Sequence, residues 1–269
     1  MSHQSALSPV ETADSGKPRF ETRYRPLREP FRSLVWVIAM GTSVFHLVVL
    51  AAYPMDPFQL RATHLCLLSV LVFFLVSGQK NSPKWRWSGM DMIWASLSVS
   101  VLIYLFATFE DYINRFGVMP EWGDVVAGTV AVSVVIEMTR RTTGWSLPII
   151  AICFLLYGLV GEHLPGMLRH TGYDYGRIFS FMYSTEGIAY IPLGVSATFV
   201  FLFVLFGSFL NVSGTGAVFT DVATAIAGGT RGGPAKVSVV ASAFFGTIYG
   251  AAVANVVTTG SFTIPMMKK

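Results

Sequence analysis

Six long apolar runs, separated by short polar segments, set the plan of this chain. They cover residues 34–53, 63–77, 92–109, 122–138, 145–160 and 191–210. A helix needs about 20 apolar residues to cross a hydrocarbon core of about 30 Å. Only helices and closed barrels satisfy their own backbone in lipid. These runs are continuous rather than alternating, which selects helices over barrel strands. The expected fold is therefore all-α: a polytopic integral membrane protein with about six transmembrane helices. The second, fourth and fifth runs are short, so they are expected to draw on flanking polar residues or on neighbouring helices. Pro54 and Pro57 stop the first run. Trp36, Trp85, Trp87, Trp94, Trp122 and Trp145 fall near run ends, where an interfacial aromatic belt belongs.

A seventh apolar stretch breaks the pattern. Residues 241–265 read ASAFFGTIYGAAVANVVTTGSFTIP and carry no charge. Gly246, Gly250 and Gly260 interrupt the segment, and Asn255, Thr258, Thr259, Ser261 and Thr263 add polar groups. Irregular backbone at membrane depth is tolerated only inside protein or around a watery cavity, and such interrupted segments point to transporter binding sites. Gly250, Asn255, Thr258, Thr259, Gly260 and Ser261 are the candidate substrate- and ion-binding residues. Backbone carbonyls with amide and hydroxyl oxygens suit a hard cation, so Na+ is expected at Gly250, Asn255 and Thr258. The competing reading is that small residues let helices approach closely.

Charge fixes the expected topology. Only 13% of residues are charged, against roughly 25% in soluble domains. The net charge of +4 does not indicate nucleic acid, because the basic residues sit between the runs. Lys17, Arg19, Arg23, Arg25, Arg28 and Arg32 precede the first run. Lys80, Lys84 and Arg86 follow the second, Arg140 and Arg141 the fourth, and Arg231 and Lys236 the sixth. The alternate loops are poorer in Lys and Arg, which places the N-terminus in the cytoplasm. No cleavable signal is expected in the polar tail, 1–33. Lys268 and Lys269 end the chain. A straight helix over 237–267 would leave them outside, whereas a re-entrant helical hairpin would return them inside, in agreement with the charge rule.

The remaining motifs are modest. Glu137, beside Arg140 and Arg141, is either a proton relay or an ion pair at helical spacing, and the spacing favours the pair. His46, inside the first run, is expected as a neutral, hydrogen-bonded histidine between helices. Cys66 and Cys153 are expected as small buried side chains. Residues 215–227 have helical spacing and precede the GGTRGGP turn; they and residues 163–190 are expected to lie along the membrane surfaces. No nucleotide loop, zinc motif or nucleophile–base set is present, so the chain is not expected to be an enzyme, and no cofactor is expected.

The second half resembles a known family. EMTRRTTGWSLPIIAICFLLYGLVGEHLPGMLRHTGYDYGRIF (137–179), GIAYIPLGVSATFVFLFVLFGSFL (187–210) and GGPAKVSVVASAFFGTIYGAAVANVVTTGSFTIPMMKK (232–269) look like the start of the large permease region of fused TRAP transporters, the tripartite ATP-independent periplasmic transporters. Spans 1–4 match the fused small subunit only in pattern. The resemblance implies a bacterial inner-membrane permease for sodium-driven import of organic acids, with a periplasmic substrate-binding protein as partner. It implies a cytoplasmic tail (1–33), a four-helix scaffold (34–145) and the start of a moving transport domain (146–269). Within that domain 250–261 aligns with an ion- and substrate-binding hairpin. Where the family pattern has Ser-Gly-Ser before Ala-Val-Ala-Asn, this chain has Tyr249-Gly250-Ala251. The family's large region also has more helices and a second hairpin, so the expectation is a truncated portion of a longer permease. The alternative is a non-transporting membrane scaffold or assembly subunit.

Overall fold

The computed structural model describes residues 24–78, 85–115 and 120–248, together with Val256, Thr259, Gly260 and Ile264. The described residues are helical, with one isolated bridge between Tyr24 and Val76. The transmembrane elements are α1 (Phe31–Ala51), α2 (Pro57–Leu75), α3 (Gly89–Arg115), α4 (Trp122–Thr143), α5 (Ser146–Val160) and a composite sixth span. The short α6 (Tyr175–Met182) precedes that span, which runs as α7 (Ile191–Val195), a π-helical turn (Ser196–Val200) and α8 (Phe201–Val212). A pair of helices, α9 (Thr215–Ala227) and α10 (Gly233–Ile248), ends the described fold. Among the described residues six helices are long and apolar enough to cross a membrane, as the runs predict.

Outward faces confirm the solvent. Trp36, Val37, Ile103, Phe154, Phe203 and Phe209 are all exposed on the bundle. A contiguous apolar surface of this extent belongs in lipid rather than water. Cys153 is exposed on α5, contrary to the expected burial, because little else packs over that side of the helix, whereas Cys66 is buried as expected.

Helix ends explain the differences from the apolar runs. α2 begins six residues before its run because the Asp56 carboxylate caps it, accepting from Phe58 N at 2.8 Å and Gln59 N at 3.4 Å, with Pro57 in the first turn. Asp56→Ala should destabilise the protein by about 1 kcal/mol, measured as a lower melting temperature in detergent. α4 opens on a reciprocal capping box between Glu121 and Asp124. It runs on to Thr143, past the expected 138, because Glu137, Arg140 and Arg141 keep the last turn occupied.

Two cores hold α1–α4 together. Near one end, Phe73 and Phe74 of α2 pack with Val35, Ala95 and Val134 from the other three helices. Near the other, Phe58, Leu105, Tyr112, Ala127 and Ala131 enclose Tyr183, which follows α6. The Tyr112 hydroxyl donates to the Tyr183 carbonyl at 3.0 Å, and the Tyr183 hydroxyl donates to the Val101 carbonyl at 3.1 Å. Burial pushes the Tyr183 phenol well above its ordinary range, with Tyr112, Tyr104 and Asp124 adding to the effect. The 163–190 segment is thus not merely laid on a surface. α6 crosses α4 so closely that a Cβ on Gly128 would lie 1.8 Å from the Phe179 carbonyl oxygen.

Candidate functional site

The candidate segment follows a helical hairpin. α9 begins after Gly214, which has a left-handed backbone (φ 83°), and the residues between Ala227 and Gly233 turn the chain through Gly232 (φ 72°). α9 and α10 then pack on each other. Ala223, Val237 and Ala241 are fully buried between them, next to Ala227 and Phe245. Phe219 meets Phe244 and Phe245 at ring distances of 5.3 and 5.8 Å. The expected surface-lying helix 215–227 has its predicted bounds, but its apolar face is spent on α10. The small residues at 223, 227 and 241 are what allow this approach.

Of the six candidate residues, the described structure places two. Thr259 is buried and Gly260 is half-buried, and both have helical backbone. A Cβ on Gly260 would make only an ordinary 3.5 Å contact with Ile264. Among the described residues nothing packs closely enough there to require glycine. Gly250, Asn255, Thr258 and Ser261 lie outside the described residues. So do the middle of the expected re-entrant turn and the Lys268–Lys269 end. Among the described residues no group of three or more His, Cys, Asp or Glu is arranged to hold a metal.

Three further polar constructions lie within the bundle. The first is ionic. Asp91, buried in the first turn of α3, accepts from Arg25 Nη1 and Arg141 Nη1, each at 2.6 Å, and from Ser88 N at 2.7 Å. Arg141 also donates from Nε to Glu137 at 2.8 Å, and Arg140 pairs with the same carboxylate at 2.7 Å. Glu137 is thus an ion-paired residue, as its spacing indicated. Asp91 was missed by sequence reasoning. Its signal was a lone acid at the start of a span whose preceding loop is basic.

The second construction is a chain of two histidines. His46 of α1 and His64 of α2 are 0% and 1% exposed. His46 Nε2 lies 2.8 Å from His64 Nδ1, and His64 Nε2 lies 3.1 Å from the Ser196 hydroxyl. The expectation for His46 holds, but its partner His64 and the link to the sixth span were not foreseen. The third is a groove of about 660 Å³ between α4, α5 and α6. It is lined by Val132, Ile136, Phe154, Gly158 and Phe181, with Arg177 at its edge.

A bundle of six apolar spans followed by a paired helical segment defines a polytopic helical membrane protein of the permease type. The chain belongs to the tripartite ATP-independent periplasmic transporters: residues 130–269 match the model of that family's DctM component. The match starts inside α4 and includes α5–α10 and the whole candidate segment. This is a family of permeases rather than enzymes, and its transporters generally work with a periplasmic binding protein. No curated protein and no solved structure matches the chain.

Proposed function

We propose that this chain supplies the membrane permease of a secondary active importer. In this reading it uses a sodium gradient to take up organic acids delivered by a periplasmic binding protein. It sits in the bacterial inner membrane with its N-terminus in the cytoplasm. The observation that carries the reading is the family match reaching through residue 269, over a segment rich in glycine, amide and hydroxyl groups. The positional logic supports it. Charged residues are scarce in the spans, and the candidate segment follows directly on the α9–α10 pair. Neutral oxygens at Gly250, Asn255, Thr258, Thr259 and Ser261 suit a monovalent hard cation.

The test is uptake by the full-length permease and its binding protein in proteoliposomes. An inward sodium gradient should drive organic-acid uptake, and replacing sodium with potassium should abolish it. Asn255→Ala and Thr259→Val should each lower uptake at limiting sodium roughly tenfold, the equivalent of one lost contact to a charged ligand at about 1.5 kcal/mol. Uptake indifferent to sodium overturns the coupling. Wild-type uptake by both variants overturns the site.

A further inference from the structure

The histidine chain has a defined direction of hydrogen bonding. The Thr42 carbonyl can only accept, and His46 Nδ1 lies 2.7 Å from it, so that nitrogen carries a proton. In a neutral ring His46 Nε2 is then bare and must accept. His64 Nδ1, 2.8 Å away, is its donor. That leaves His64 Nε2 bare, accepting from the Ser196 hydroxyl at 3.1 Å, the longest link of the chain. Every ring nitrogen is satisfied when both histidines are neutral and both carry their proton on Nδ1.

One position in this chain can take another proton. At His64 Nε2 the neighbour is a hydroxyl, which can turn from donor to acceptor. At His46 both neighbours are committed: a carbonyl on one side and a ring N–H on the other. A second added proton would bring two cations together across 2.8 Å. The geometry points to a single-proton site inside the membrane bundle, at His64 Nε2, whose occupancy loosens the sixth span from α1 and α2.

The surroundings give the sign. Among the described residues the sixth span carries no titratable group between Ile191 and Val212. α1 carries only Arg32 besides His46, and α2 carries Arg61 and Cys66, with Asp56 at its cap. Asp56 is engaged at the cap by Phe58 N and Gln59 N, and Cys66 packs near Ser69 and Ser98. Arg61, one turn before His64, donates to the Ala189 carbonyl at 2.8 Å and has the same sign as an imidazolium. Among the described residues no ion pair links a carboxylate to His64. Aromatic rings meet the pair: Phe201 stacks on His46 at 3.9 Å and stands edge-on to His64 at 6.0 Å, and Phe45 stands edge-on to His46 at 5.2 Å. A proton here makes the Ser196 bond charge-assisted but leaves an unbalanced charge buried between α2 and the sixth span, and that cost loosens the junction.

That contact is where the sixth span departs from regular α-helix. Ser196 opens the π-helical turn, and the next residue, Ala197, is fully buried against Val49 and Leu60. Single π turns inside helices recur at functional positions. Reversing the Ser196 hydroxyl at this turn changes a polar bond that, with the Arg61 bond to the Ala189 carbonyl, holds the sixth span against α2. The inference stands on this geometry alone and is independent of sodium coupling.

The experiment uses the full chain, labelled with 15N-histidine, in detergent micelles or lipid nanodiscs. At about pH 8 two of the 5 histidines should show the Nδ1–H tautomer, unlike the free histidine side chain, which favours Nε2–H. As the pH is lowered from about 8 to about 3, one of these two should become imidazolium while the other stays neutral. In parallel, the melting temperature should fall over this range by roughly 2–4 °C more in the wild type than in His64→Gln. Two buried rings that both stay neutral to about pH 3, or that protonate together, overturn the proposal. So do parallel melting curves for wild type and a His64→Gln variant that retains its helical content at about pH 8.

Discussion

Asp91→Asn will be among the most damaging single substitutions in the protein, costing about 3–5 kcal/mol. The substitution keeps the shape, removes the charge and replaces one of two accepting oxygens by an NH2 donor. Asp91 is 1% exposed and is the shared anion of two guanidinium groups whose side chains are each 2% exposed. With asparagine in its place, Arg25 has no other ion pair among the described residues, and its Nε and Nη2 atoms are already buried without a hydrogen-bond partner. Arg141 would retain Glu137 and its bonds to the Val76 and Phe73 carbonyls at 3.2 and 3.4 Å. The main injury is thus an uncompensated cation at Arg25, which ties the segment before α1 to the ends of α2 and α4 and the start of α3. Glu137→Gln should cost far less, on the order of 1 kcal/mol, because Arg141 keeps Asp91 and Arg140 is partly exposed. Denaturant unfolding of both variants in mixed micelles, followed by circular dichroism, checks the ranking. Equal losses would mean that Asp91 is not the centre of the network.

The network shows why some parts of this protein could be read from the sequence and others could not. The six spans were legible because hydrophobicity in a membrane is a one-dimensional property: a run such as 191–210 announces its span wherever it packs. Glu137 with Arg140 and Arg141 was legible because partners at i+3 and i+4 share a helix face. Asp91 was not, because its partners stand 66 and 50 residues away and nothing local marks them. The same limit hid the His46–His64–Ser196 chain, whose ends are separated by 150 positions in sequence (196 − 46). The hairpin shows the intermediate case. The bounds of α9 followed from its periodicity and the glycine-rich turn, but its partner α10 was read as the entrance to a re-entrant loop. Composition marked residues 250–261 as a candidate site, through polar groups that lipid cannot satisfy. Their mutual arrangement depends on tertiary geometry that composition does not carry.

Both ends of the α1–α4 bundle are fastened by groups that cannot be moved independently. At the Asp91 end the fastening is charge. At the opposite end it is backbone proximity, supported by the Tyr104 hydroxyl donating to Asp124 at 2.8 Å and by the Thr129–Tyr175 hydroxyl contact, also at 2.8 Å. Fastening at both ends makes α1–α4 a rigid frame. α5 and the sixth span pack against that frame, while the α9–α10 pair meets the bundle chiefly through α8.

Gly128→Val should therefore break the frame at its second fastening. The residue sits in the middle of α4, where valine is acceptable to the helix itself and is a better helix former than glycine by a few tenths of a kcal/mol. The penalty comes from α6. A Cβ at position 128 would lie 1.8 Å from the Phe179 carbonyl oxygen, 2.7 Å from the carbonyl carbon and 3.3 Å from the Tyr183 Cβ. Two of these are backbone atoms, so no rotamer change relieves the clash, and α6 must move away as a unit. That movement would pull Tyr183 from the core it shares with Tyr112 and Leu105, and stretch its hydrogen bonds to Val101 and Tyr112. The expected loss is about 3 kcal/mol or more, at the upper end of overpacking effects. Gly41→Val on α1 is the control, since a Cβ there meets nothing within 4 Å. Limited proteolysis in detergent should show accelerated cleavage in the 163–190 segment for Gly128→Val and an unchanged pattern for Gly41→Val. A Gly128→Val protein with wild-type melting and protection would mean that α6 does not seat on α4.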